Sequence, residues 1–218
     1  MINKFVPGMA EAMAGIQDGA TVLIAGFLAG MPTALVAGLI QHGARDLTVV
    51  MNAGGGDEGP TADLLASGLV RKLVCSFVRS ASVAGRLFHE GRLELEIVPQ
   101  GTLAERIRAA GAGVQAFYTP TAADTILAEN REVRIINGRN CLLEYPLPGD
   151  VALIDAWQAD RWGNLTHRES ARNFNPIMAM AATTTIVQTR HVVELGAIPP
   201  EHVHTPGVFV QRILHVPA

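Results

Sequence analysis

The chain has 218 residues, of which 49% are apolar and 17% charged, and a net charge of −3. That length suits one α/β domain, residues 1–218, with a sizeable core. The acidic balance, the absence of a basic cluster and an aromatic content of 5% exclude nucleic acid as a partner class.

In chain order, no signal peptide is read at the start, because Lys4 and Glu11 flank no long apolar core. Between Asp18 and Arg45 no Asp, Glu, Lys or Arg occurs, but Gly26, Gly30, Pro32 and Gly38 interrupt the run. We read it as a buried strand, a glycine loop and a packed helix, with no membrane span and a cytoplasmic location. Strands are expected at Thr21–Ala25, Leu47–Met51, Lys72–Phe77 and Leu93–Val98. Helices are expected between them at Pro32–His42, Thr61–Gly68 and Ala81–Glu90, and then at Leu103–Ala110. This alternation predicts an open, mostly parallel sheet with helices on both faces, a Rossmann-like α/β fold. Glu132–Ile136 and Asn140–Glu144 flank Asn137-Gly138, a hairpin signal, inside a small β-rich excursion around residues 117–150. Further strands are expected at Val151–Asp155, Asn164–Thr166, Thr184–Val187 and His191–Leu195, with a helix at Pro176–Ala182.

Cys75 and Cys141, without a CxxC, read as buried free thiols. Gly54 to Gly59 match GxGxxG, but the carboxylate a dinucleotide fold wants about 20 residues later is replaced by Val74-Cys75-Ser76. We expect a loop whose backbone runs close to a ligand or to another chain. His202 and His204 are a close pair without nearby carboxylate or thiol ligands, so no metal site is assigned. The loop Ala25 to Pro32 leads into a helix whose free N–H groups could attract an anion such as pyrophosphate, or it is a tight turn only. In Val98-Pro99-Gln100-Gly101-Thr102 an amide stands at the end of a strand, where α/β sheets hold ligands. Gln100 could donate to an oxyanion or simply belong to a capping turn.

Taken together, AGFLAGMP (25–32), LTVVMNAGG (47–55), VPQGTLAERIRAAGAGVQAFYTP (98–120), DRWGNLTHRESARNFNPIMAMAA (160–182) and HTPGVFVQRIL (204–214) resemble the A-type chains of the family I coenzyme A transferases. DRWGNL, PIMAMAA, VVELG and TPGVFVQRI look most like members that pass CoA from succinyl-CoA to 3-oxoadipate in aromatic degradation. The resemblance implies a B-type partner chain, commonly in an A2B2 assembly, and coenzyme A as a substrate with no metal or resident cofactor. It implies a glutamate nucleophile in a Ser-Glu-Asn-Gly segment of the partner; no such segment occurs here. By the same resemblance, Gln100 and Asn52 support the reacting thioester and its oxyanion. Gly26, Phe27, Leu28, Ala29, Gly30, Met31 and Pro32 form the CoA-binding loop.

Three departures bear on substrate choice. Against the family's Gly-Gly-Phe-Gly-x-x-Gly-x-Pro the loop begins at Ala25 and is about one residue shorter, with Leu28 in its middle, and the second of two usual asparagines is Ala53. The usual Pro-Thr-Gly-Tyr-Gly-Thr is Pro120-Thr121-Ala122-Ala123-Asp124-Thr125, where an inward Asp124 would repel a dicarboxylate. A dicarboxylate needs a cation at its far end, for which Arg79 and Arg86 are candidates. An acetoacetate-type transferase, a catalytically silent CoA-binding homologue and a sugar-phosphate enzyme of related fold are the competing readings.

Overall fold

The computed structural model describes residues 2–217. Seven parallel strands form the main sheet: β1 (Thr21–Ile24), β2 (Leu47–Met51), β3 (Val70–Cys75), β4 (Glu94–Ile97), β8 (Gly149–Ala159), β10 (Ala182–Val192) and β11 (Arg212–His215). Their order across the sheet is β11-β10-β8-β1-β2-β3-β4, with a short antiparallel β9 (Leu165–Thr166) on β8. Successive strand residues point to opposite faces, which divides the core in two. Val22 and Ile24 pack with α1 (Met9–Met13), α2 (Thr33–His42), α3 (Pro60–Ala66) and α4 (Val83–His89) on one face. Leu23 and Ala25 pack with α5 (Gln100–Ala112) and α6 (Asn175–Ala181) on the other. Continuously apolar strands such as TVLI and LTVVM are what a doubly covered sheet requires.

A separate antiparallel sheet, ordered β5-β7-β6, is made by β5 (Phe117–Thr119), β6 (Val133–Ile136) and β7 (Arg139–Glu144). Asn137 and Gly138 both take positive φ, at 50° and 74°, the two-residue hairpin conformation expected of that pair. Arg106 of α5 ties this sheet to the main one. It donates to Glu96 Oε1 at 2.8 Å and to the Tyr145 carbonyl at 3.0 Å. Buried Glu144 lies 2.8 Å from Arg131. Burial raises the Glu96 carboxyl, but hydrogen bonds from Lys72 and Arg106 outweigh it and leave the pKa lowered.

The sequence expectations need four corrections. Thr184–Val187 and His191–Leu195 are not two strands: β10 runs unbroken from Ala182 to Val192, paired with β8 along its length. The polar residues Gln188 and Thr189 suggested a break, yet both are buried and hydrogen-bonded. Helix α5 begins at Gln100, not Leu103. Pro32 is the N-cap of α2 instead of its first helical residue. Finally, α1 and β11 carry no expectation at all; both are short, and each has few residues from which a period could be read.

Candidate active site at the carboxyl edge of the sheet

Strand order reverses at β1, with β2 on one side and β8 on the other. In open α/β sheets the crevice at such a switch point, beyond the carboxyl ends of the strands, is the ligand position. The loop leaving β1 there is Ala25 to Pro32. Gly26 has φ 99°, and an added Cβ would stand 2.6 Å from Met31 Sδ, so glycine is required. Leu28 sits at φ 62° with 90% of its surface exposed. A branched residue in that region is strained, and the Ala29 N–H to Phe27 carbonyl bond of 2.8 Å closes a tight turn around it.

The loop is held from beneath by amides. Asn173 Nδ2 donates to the Ala29 carbonyl at 3.0 Å and Asn175 Nδ2 to the Gly30 carbonyl at 3.1 Å. Fully buried Asn175 also accepts from the Asp155 N–H at 2.8 Å, joining the loop to β8. Gln188 Oε1 accepts from the N–H groups of Ala34 and Leu35 at 3.0 and 3.3 Å, while its Nε2 donates to Asp155 Oδ1 at 2.8 Å. This corrects an expectation: two N–H groups at the start of α2 are already bonded within the protein, so that helix end is no ready anion cradle. Burial raises the Asp155 pKa, opposed by the Gln188 hydrogen bond. Gln188 and Asn175 act in the site's framework, and sequence reasoning assigned them no role.

At the end of β2, Asn52 is 2% exposed. Its carbonyl accepts from Ser76 N–H at 2.9 Å and Ser76 Oγ at 2.5 Å, fixing it against β3. Gln100, the first residue of α5, donates from Nε2 to Asn52 Oδ1 at 3.0 Å. The two residues singled out from sequence, 48 positions apart, thus touch. Gln100 does not cap its helix; Pro99 holds that position without a side-chain cap. The second Nε2 hydrogen of Gln100 and the Nδ2 group of Asn52 have no protein acceptor among the described residues. Neutral amide donors at a strand edge can stabilise an oxyanion without neutralising a carboxylate that attacks nearby.

A cavity of about 550 Å³ opens at the same carboxyl edge, but neither Asn52 nor Gln100 lines it. The glycine loop contributes Gly26, Phe27, Leu28 and Met31, and the neighbours of Asn52, Met51 and Ala53, form its wall. The glycines at Gly55, Gly56 and Gly59 line the same cavity, as do Phe77, Glu58 and Arg79. In this second glycine run Gly54 packs against its own chain, where a Cβ would meet Val78 at 2.6 Å. Ala29, Gly30 and Pro32 lie outside the lining and act in the loop's shape. Asp124 also lies outside: its Oδ1 accepts from Asn140 at 2.7 Å on the small sheet, so it does not repel a ligand in this cavity. Cys75 is no nucleophile, since burial pushes its thiol up to about 11. His204 Nδ1 accepts from the His167 N–H at 2.9 Å, a framework role.

The Coenzyme A transferase family model matches residues 6–215. The chain belongs to the coenzyme A transferase family. This transferase chain is 55% identical to the A-type chain of 3-oxoadipate CoA-transferase from Pseudomonas putida, over 99% of its own length and 95% of the relative's. It is 45% identical to the A-type chain of a probable succinyl-CoA:3-ketoacid coenzyme A transferase from Bacillus subtilis, over 98% and 90%. Among solved structures, glutaconate coenzyme A-transferase of Acidaminococcus fermentans superposes with a TM-score of 0.86 at 19% identity, covering 98% of this chain and 76% of that one. That likeness supports the transferase fold alone.

Proposed function

We propose that this chain is the A half of a two-chain transferase that moves CoA from succinyl-CoA to 3-oxoadipate in the cytoplasm, with a B-type chain in an A2B2 assembly. The partner supplies the glutamate. Its carboxylate attacks the thioester carbonyl and CoA leaves as thiolate, giving a mixed anhydride. The thiolate then attacks the glutamyl carbonyl, forming glutamyl-CoA and freeing the donor acid. The acceptor carboxylate repeats both steps in reverse order. Each addition places negative charge on one carbonyl oxygen, and Gln100 and Asn52 are the donors that meet it. The Gly26 to Pro32 loop holds CoA beside them.

The observation that carries this reading is the 3.0 Å bond from Gln100 to Asn52 at the edge of the crevice, two neutral amides with donor hydrogens left over. The 3-oxoadipate assignment rests on the P. putida relative. The test is to purify the chain with its B-type partner and assay CoA transfer from succinyl-CoA to 3-oxoadipate, acetoacetate and short unbranched acids. Turnover greatest with 3-oxoadipate is expected. Preference for acetoacetate would replace the substrate, and binding of CoA without turnover would make the chain a silent homologue.

A further inference from the structure

A strand with an open edge and apolar side chains invites a further strand, and sheets guard such edges with charge or cover. Of the four end strands in the two sheets, three are guarded. β4 carries Glu94 and Glu96, both ion-paired. β11 is covered by the segment before α1, where Val6 N–H donates to the Ile213 carbonyl and Ile213 N–H to the Lys4 carbonyl. β5 is partly buried along its length. The fourth, β6, is exposed at every residue, with Ile135 at 76%, Val133 at 39% and Ile136 at 37%.

The phase of the hydrogen bonds shows which backbone groups of β6 are free. Leu143 N–H donates to the Glu132 carbonyl at 2.9 Å, so residues 132, 134 and 136 turn their backbone groups toward β7. Val133 and Ile135 turn theirs to the open edge. Side chains alternate in the same way. Val133 and Ile135 share one face. Glu132 and Arg134 share the other, 2.6 Å apart, with the Tyr118 hydroxyl donating to Glu132 Oε1. We propose that β6 pairs with β6 of a second copy of this chain, antiparallel and centred on Val133. The two small sheets then become one of six strands. Each Val133 N–H meets the Val133 carbonyl of the other copy, and each Ile135 N–H meets its Arg131 carbonyl. In this register Glu132 of each copy stands opposite Arg134 of the other, an ion pair formed twice across a two-fold axis. Centring on Arg134 would set like charges opposite each other, and centring on Ile135 would draw in the turn at Asn137, with φ 50°. The edge is thus complementary to itself, which selects a second copy as the occupant. In an A2B2 assembly this contact joins the two A-type chains.

Cysteine cross-linking reads both the pairing and its register, since Cys75 and Cys141 are buried. In the assembled complex, mild oxidation of Val133→Cys should link two copies of this chain, because opposite residues of a hydrogen-bonded antiparallel pair have Cα atoms about 5.5 Å apart, within disulfide reach. Ile136→Cys should not link, its two copies lying about 20 Å apart in this register. Sedimentation velocity of the full chain alone should give twice the mass of one chain for the parent. Val133→Pro should give the mass of one chain, since it removes the edge donor and leaves the bonds to β7 intact. Arg134→Glu should also separate the copies, and the double exchange Glu132→Arg with Arg134→Glu should rejoin them, which separates lost pairing from lost folding. No link from Val133→Cys, or equal links from both cysteines, would overturn the proposal. So would a parent chain of single mass at every concentration, or an Arg134→Glu chain that stays paired. Protection of the Val133 and Ile135 amides from hydrogen exchange only after the B-type chain is added would likewise overturn it and give the edge to that partner. None of these readouts uses turnover, so their outcome is separate from that of the transferase reading.

Discussion

Gln100 stands exposed at the first position of its helix, yet its amide is held by Asn52. The pair costs little to preorganise, because Asn52 is fixed by Ser76 on its backbone side and buried on its own. Removing the Gln100 amide should lower kcat roughly 10- to 1,000-fold with assembly intact, measured by single-turnover kinetics on the Gln100→Ala complex. Gln100→Glu should be slower still, since a carboxylate there repels both the nucleophile and the oxyanion. An Ala variant with parental turnover would remove Gln100 from the chemistry. Both residues were legible in the sequence through a long motif, but their contact was not. Nothing in the sequence spacing states that Gln100, after β4, reaches Asn52, after β2, across the intervening β3. The strained turn at Leu28 was equally hidden, because a departure from a glycine pattern says where a loop differs and not which dihedral it takes.

The glycine loop depends on elements far from it in sequence. Asn175 joins the Gly30 and Ala171 carbonyls to the Asp155 N–H with three bonds, entirely away from solvent. Asn175→Ala leaves those groups unpaired and should cost about 2–4 kcal/mol, a fall in Tm of roughly 5–15 °C. A thermal scan that showed no change would mean water takes over the amide's role. Behind the same strand, His167 Nδ1 lies 3.0 Å from the Asp155 carbonyl and Nε2 lies 3.0 Å from Thr205 Oγ1. Burial pushes its pKa from 6.5 down to about 4. The unfolded chain therefore binds that proton more readily than the native one. The stabilisation is complete above pH 6.5 and is lost as pH falls toward 4, worth roughly 3 kcal/mol in all. Denaturant titrations across that window should show the slope in the parent and a flatter one in His167→Gln. Most of these elements could be anticipated. β1 and β2 are apolar runs, β3 and β4 keep apolar residues among their charges, each is followed by a helix, and Asn137-Gly138 marks its hairpin. The second half was harder: β10 carries buried polar residues that interrupt its apolar pattern, because Gln188 there caps α2 across the sheet instead of filling the core.

For the molecule as a whole, the carboxyl edge of the sheet is unfinished. Phe27, Leu28 and Phe77 are 50%, 90% and 60% exposed around one cavity, an apolar rim that a partner surface would cover. The chemistry is unfinished in the same place. The donors proposed for an oxyanion are Gln100 and Asn52, but the carboxylate on the cavity lining is Glu58, which is exposed and lies in the glycine run instead of a Ser-Glu-Asn-Gly segment. If the nucleophile belongs to the B-type partner, four results follow together. The purified chain alone should show no CoA transfer. Mixing with the partner should restore it by burying an interface of the large obligate kind, about 2,000 Å² or more. Glu58→Gln in the assembled complex should keep its turnover, and borohydride, which reduces an acyl-thioester on an enzyme, should mark the partner after incubation with succinyl-CoA. Label on this chain instead, or loss of turnover in Glu58→Gln, would move the nucleophile to Glu58. That outcome would make the two chains' roles the reverse of those proposed, with the partner supplying support for a reaction carried here.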